Sequence, residues 1–166
     1  MGMMACYQMA EAELIKVLQN KDVEELLEAI EELQEESAVV DIDKMWDGLH
    51  FLLTGVSASE PIEDNALSEA VVGKEVFSEE EDVDFIAYTM PENIAKIVEE
   101  LEVFDISKAI ENFEPRTFAE KEIYPDIWRG DEKEELQEEL EEAFGQLKDF
   151  YNMALEQGKG VLVSIY

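Results

Sequence analysis

The runs VLVSIY at positions 161–166 and GMMACYQM at positions 2–9 carry the clearest information about the fold. Both are almost continuously apolar, too short for typical helices, and contain residues that favour strands. Strands of this composition are usually buried on both faces, which requires helices on either side of the sheet. We therefore expect both runs to lie in one small central sheet, covered by two layers of helices.

Helical periodicity accounts for most of the remaining chain. Apolar residues recur at the spacing of one helix face, with acidic residues between them. Asp22 followed by Glu25 is typical of a capping box at a helix start, and Gly158 suits a helix end. The pattern predicts helices over 10–19, 23–33, 42–54, 92–102 and 131–157, and a further helix that begins near Ser107. It also predicts strands over 84–90 and 74–77 and linkers over 54–65 and 77–84. The sequence thus predicts a helix-rich α+β fold, a compact three-layer arrangement in a single domain over residues 1–166.

The charge of the chain is strongly one-sided, with 43 Asp and Glu against 12 Lys and Arg and a formal net charge of −31. Such a surface repels phosphate backbones and anionic lipid headgroups, so nucleic acids and membrane surfaces are disfavoured as partners. It attracts cations or a protein with a basic face. The acidic blocks 22–37 and 131–144 keep an apolar helical period, which indicates solvated faces of packed helices and not disordered tails.

Cys6 is the only cysteine, which excludes an internal disulfide and fits a reducing compartment. The sequence contains no uncharged apolar run of the roughly 20 residues that a membrane span requires. We therefore expect a soluble cytoplasmic protein.

The stretch DKMWDGLHFLLTG at positions 43–55 contains the only histidine. On a helix, its apolar residues form one broad face that includes Trp46, and its polar residues line one flank. These polar residues are Asp43, Asp47, His50 and Thr54. The flank is predicted to be half-buried beside Trp46, so its polar groups need partners.

This polar flank allows a chemical and a structural interpretation. Asp47 lies within one turn of His50 and could orient its ring, as carboxylates do for catalytic or metal-binding imidazoles. One histidine with two carboxylates is a poor metal site, and no nucleophile or phosphate-binding motif accompanies it, so no metal or cofactor is predicted. Cores also contain such clusters, and we favour a structural His50 over a catalytic one.

A second aromatic stretch, EIYPDIW, occupies positions 122–128. The residue before a proline is biased towards an extended conformation, so a short helix must end at Tyr124. Tyr124 and Trp128 suit either a pocket wall or a cover over the core, and we favour the cover.

Several of these segments together resemble a known family. They are MGMM (1–4), DIDKMWDGLHFLLTG (41–55), SASEP (57–61), LSEAVVG (67–73) and EIYP (122–125). The chain resembles the bacterial YfbM-like family, a domain of unknown function, from its first residue to its last strand. The resemblance implies a three-layer arrangement but no activity, substrate or cofactor. The positions that match its pattern, none with an assigned role, are Asp43, Trp46, Asp47, His50, Thr54, Gly55, Glu122, Tyr124 and Pro125.

Three classes of function remain open. The first is a small acidic module that binds or inhibits a basic protein, as an immunity-type protein would. The second is an enzyme or small-ligand-binding domain with its site at His50 and Asp47 beside Trp46, and the third is a purely structural or regulatory domain. We lean away from an enzyme. The candidate ligand- or partner-binding residues are Trp46, Asp43, Thr54, Glu122 and Tyr124.

Overall fold

The computed structural model of the protein describes residues 3–36, 39–77 and 85–166, which contain five strands and eight α-helices. The strands are β1 (Ala5–Ala10), β2 (Val39–Asp41), β3 (Glu75–Val76), β4 (Phe85–Thr89) and β5 (Gly160–Ile165). The helices are α1 (Ala12–Gln19), α2 (Val23–Glu36), α3 (Trp46–Thr54), α4 (Ala66–Val72), α5 (Ile94–Val103), α6 (Ile106–Glu111), α7 (Pro115–Glu120) and α8 (Lys133–Gln157). The predicted α+β fold is confirmed. Gly2 and most of the predicted linker 77–84 lie outside the described residues.

The five strands form one antiparallel sheet in the order β2-β1-β5-β4-β3. The first and last strands are direct neighbours, with Ala5 opposite Ile165 and Ala10 opposite Gly160. The prediction that the two chain ends share the central sheet is therefore confirmed. The last strand lies in the middle of the sheet, between β1 and β4, so both of its edges are paired.

Helices cover both faces of this sheet, as predicted from the apolar runs. On one face, α1 and α2 pack against alternate residues of β4 and β5, including Ile86 and Leu162. On the other face, α3 to α8 pack against Tyr7, Val161 and Val163 in the larger core. Adjacent strand residues therefore point to opposite cores, which explains why both end strands are almost continuously apolar.

Two buried tyrosines fix α4 over the larger core. The Tyr7 hydroxyl donates to the Val71 carbonyl at 2.6 Å, and the Tyr151 hydroxyl donates to the Ala70 carbonyl at 2.8 Å. Tyr151 belongs to the predicted apolar stripe of α8, which is buried along its length. In the described part of the chain, no helix combines the length and apolar character that a membrane span needs.

The structure differs from the sequence-based expectation in local detail. Strand β2 and helix α4 were not predicted. The helix expected over 42–54 begins as a 3-10 turn, Asp43–Met45, before α3. The helix expected to end at Tyr124 ends at Glu120, because a turn with Glu122 at φ 54° follows it. The predicted cap of α2 is confirmed, since the Glu25 amide donates to Asp22 Oδ1 at 2.9 Å.

Candidate functional site

His50 lies on the buried face of α3 and is 0% exposed. Its Nδ1 is 2.8 Å from the Val56 carbonyl oxygen, and its Nε2 is 2.7 Å from Ser68 Oγ. A carbonyl oxygen only accepts hydrogen bonds, so Nδ1 carries the ring proton when the imidazole is neutral. Nε2 is then the acceptor, and the Ser68 hydroxyl donates to it.

Burial lowers the pKa of His50 below its ordinary value. The hydrogen bond to Val56 and the negative charge of Asp47 both act in the opposite direction, but burial is the larger effect. The ring is therefore neutral near pH 7, in agreement with the hydrogen-bond pattern. Thr54, one turn along α3, lies beside the ring as its spacing predicted, with Oγ1 at 3.2 Å from Nδ1.

Asp47 is the next buried polar group on α3, at 4% exposed. Its Oδ1 accepts from the Ala58 amide at 2.7 Å and from Ser57 Oγ at 2.9 Å, and its Oδ2 accepts from the Tyr124 amide at 2.8 Å. Asp47 could have oriented the His50 ring on its spacing alone, but the two side chains hydrogen-bond to different partners, so this possibility is not borne out. The segment after α3 folds back over the helix and supplies separate partners to each side chain. The expected half-buried flank is consequently fully buried at both residues.

Trp46 and Tyr124 form an aromatic pair next to Asp47. Their rings are stacked with centroids 5.4 Å apart and an angle of 28° between planes. Trp46 Nε1 donates to the Met3 carbonyl at 3.0 Å, and the Met3 amide donates to the Tyr124 hydroxyl at 2.5 Å. Trp128 is buried nearby in an aromatic cluster that covers the core, as expected. A Cβ added at Gly48 would collide with its ring, which explains the glycine there.

The structure separates the remaining candidates from His50. Asp43 is exposed, at φ 53°, and its amide donates to Asp41 Oδ1 at 2.6 Å. Glu122 is also exposed and does not join the buried cluster. The predicted site residues thus divide into His50 with Thr54, Asp47 with Trp46 and Tyr124, and the two surface acids Asp43 and Glu122, which lie apart from both groups.

Ser68, the partner of His50 Nε2, was not predicted from the sequence as a candidate site residue. It is 1% exposed, and the Asn65 side chain fixes the start of α4 by accepting from the Ser68 amide at 3.0 Å. Ser68 Oγ also accepts from the Ile62 amide at 3.1 Å. Its only signal in the sequence was its position in the family-like segment LSEAVVG, because helical spacing cannot link residues of two different helices.

Two surface grooves lie near these groups. We call the first the acidic groove; it has a volume of about 400 Å³, and its charged lining residues are Asp41, Asp43, Lys44, Glu139 and Glu142. We call the second the edge groove; it has a volume of about 670 Å³ and lies between the segment 61–64, α4 and β3, with Ser68 in its lining. Across the described ranges, no group of three or more His, Cys, Asp and Glu side chains is arranged to hold a metal ion.

Comparisons with known proteins agree on one family. A family model described as "Domain of unknown function (DUF1877)" matches residues 1–164. Protein YfbM of Escherichia coli (strain K12) is 32% identical over 167 residues, which cover 99% of each chain. The crystal structure of YfbM from Escherichia coli, described as a protein of unknown function, superposes with a TM-score of 0.79 at 29% identity, covering 98% of this chain and 99% of that one. The chain therefore belongs to the DUF1877 family, and the resemblance to YfbM-like proteins is confirmed.

Proposed function

We propose that residues 1–166 form one domain that acts in the cytoplasm as a binding module for a basic protein, with an inhibitory, immunity-type role as one form of this activity. The observation that carries the proposal is the crowding of carboxylates around the acidic groove. Glu139 and Glu142 on α8 line it together with Asp43, and Lys44 is the only cation among the lining residues that the structure describes.

The carboxylates at this groove repel one another electrostatically. The pKa of Glu139 is raised, first by partial burial and then by the negative charges of Glu135, Asp43, Glu132 and Glu142. A lysine or arginine placed there by a partner would remove this repulsion. The groove is thus a place where binding of a basic side chain lowers the energy of the protein itself.

The rest of the surface supports the same class of partner. In the described ranges, the ion pairs involve the four cations Lys74, Lys96, Arg116 and Lys148 and only six carboxylates. Most of the 43 acidic residues therefore add to a long-range negative field. Such a field accelerates association with a basic protein and makes it sensitive to salt.

An enzyme that uses Asp47 together with His50 receives no support from the geometry. Their hydrogen-bonding atoms are committed to different partners, Asp47 to residues 57, 58 and 124 and His50 to Val56 and Ser68. Asp47 is 4% exposed, and both of its carboxylate oxygens already accept hydrogen bonds.

The test compares two double variants of equal charge. In the first, Glu139→Gln and Glu142→Gln neutralise the acidic groove; in the second, Glu24→Gln and Glu28→Gln neutralise exposed acids of α2. Binding of a fluorescent hexa-arginine peptide is measured by anisotropy at increasing NaCl. We expect the groove variant to bind about threefold to tenfold more weakly at low salt, as two partly screened ion pairs predict. The α2 variant should change much less. Equal weakening in both variants would show that only net charge matters and would contradict a role for the groove.

A further inference from the structure

Ser68 and His50 have the relative arrangement of a nucleophile and its general base. The Ser68 hydroxyl donates to Nε2 across 2.7 Å, and the proton on Nδ1 is held by the Val56 carbonyl at 2.8 Å. This carbonyl fixes the tautomer and the direction of the ring, the role that a carboxylate plays in catalytic triads. Nε2 therefore points an available lone pair at the hydroxyl proton.

Ser68 also lines a groove large enough for a small molecule. The edge groove, at about 670 Å³, lies within the range of roughly 300–1,000 Å³ typical of ligand sites. Its apolar lining includes Ile62, Val72, Val76 and Phe85. Ser68 is 1% exposed overall, and the edge groove is the cavity that it lines, so a substrate would approach the hydroxyl from this groove.

The charges of the edge groove select the class of substrate. The acidic residues that line this groove are Glu63, Asp64, Glu69 and Glu75. Lys74 is the only cation among the described lining residues, and its Nζ lies 3.3 Å from Glu69 Oε2 and 3.9 Å from Asp64 Oδ1. A groove with this balance repels phosphates and carboxylates and accepts uncharged or cationic groups.

We propose that Ser68 is a nucleophile and His50 its general base, at a site for uncharged or cationic acyl esters in the edge groove. Ser68 Oγ forms a bond to the acyl carbon while its proton passes to His50 Nε2. The ester C–O bond breaks, and the departing alcohol takes that proton from Nε2. Water then hydrolyses the acyl-serine with His50 as base, which restores both groups. General-base assistance of this kind contributes about 10²–10⁴-fold to a rate.

The first experiment detects the nucleophile directly. A fluorophosphonate probe forms an O–P bond to an activated serine and releases fluoride, and peptide mass spectrometry locates the adduct. We expect an adduct on Ser68 of the folded wild type and none on Ser68 in urea. Labelling should be abolished by Ser68→Ala and slowed about 100-fold or more by His50→Gln. Ser59→Ala is the matched control, because Ser59 is an exposed serine in the segment between α3 and α4.

The outcome is decisive even if a variant fails to fold. Absence of an adduct on Ser68 in the folded wild type would refute the proposal, as would equal labelling rates in wild type and a folded His50→Gln protein. Such results would leave the pair as a structural element of the core. Glu24→Gln with Glu28→Gln should leave labelling unchanged, since these exposed acids of α2 do not line the edge groove.

The second experiment tests the substrate class. Hydrolysis of para-nitrophenyl acetate, which is uncharged, is compared with that of para-nitrophenyl succinate, which carries a carboxylate. After correction for spontaneous hydrolysis, we expect the wild type to prefer the acetate and to lose this activity with Ser68→Ala. Preference for the anionic ester would contradict the assigned class.

Discussion

Replacement of His50 by alanine should destabilise the protein because it leaves buried groups without partners. The variant removes a side chain that is 0% exposed, deprives the Ser68 hydroxyl of its acceptor at 2.7 Å, and leaves the Val56 carbonyl only the longer contact from Thr54 Oγ1 at 3.3 Å. An unsatisfied buried group costs about 1–3 kcal/mol, and the space left by the ring adds a cavity term. We expect a loss of about 2–5 kcal/mol in the free energy of unfolding.

The measurement is urea unfolding followed by circular dichroism, in wild type and variants at fixed pH and salt. Ser59→Ala serves as the control, since an exposed serine should change stability by less than about 0.5 kcal/mol. A His50→Ala protein as stable as wild type would refute the structural role of the ring and the stabilising effect of its hydrogen bonds to Val56 and Ser68.

Double-mutant cycles then identify the partner of His50. Residues in contact show a coupling energy of about 0.5 kcal/mol or more, whereas independent sites are additive. The hydrogen bonds predict clear coupling between His50→Ala and Ser68→Ala, and smaller coupling between His50→Ala and Asp47→Ala, whose partners are separate. Stronger coupling to Asp47 than to Ser68 would contradict the geometry.

Three further predictions concern charge, topology and pH. Because the acidic surface is self-repelling, the urea midpoint should rise between low and moderate NaCl, and an unchanged midpoint would mean that local pairing already balances the charges. Deletion of 161–166 removes the strand between β1 and β4, including the fully buried Val161, Leu162 and Val163, each worth roughly 1.5–3 kcal/mol; a soluble product with an unchanged Tm would contradict the sheet order. Burial lowers the pKa of His50, so the unfolded chain binds the proton more readily than the folded protein. The free energy of unfolding should therefore fall as the pH drops below about 6.5, towards the lowered pKa of the folded protein. The His50→Gln variant should lack this part of the pH dependence, even though Asp47, the charged group near the ring, is still present.

The elements predicted from sequence are those whose burial leaves a regular pattern. Strands β1 and β5 are buried on both faces and read as continuous apolar runs, and α8 keeps one apolar stripe over its 25 residues. Strand β2 has only three residues, too few for a period. Helix α4 has seven residues, of which six are buried, so it shows no polar face. Its position depends on hydrogen bonds from Tyr7 and Tyr151, which lie far away in sequence.

The candidate site, like the fold, could be predicted only as far as regular spacing along a single helix allows. Helical spacing correctly placed Asp47 and His50 among polar groups that need partners, because spacing reports on the faces of a single helix. It could not assign those partners. Val56 contributes a backbone carbonyl, which every residue carries, and Ser68 follows His50 by 18 residues, on another helix. The nearest carboxylate in sequence was therefore a natural choice for the imidazole and an incorrect one. The fold of the segment between α3 and α4 decides the pairing, since it brings the Val56 carbonyl to the ring and the Ser57 hydroxyl and Ala58 amide to Asp47. The two ionisable groups are thus satisfied without each other.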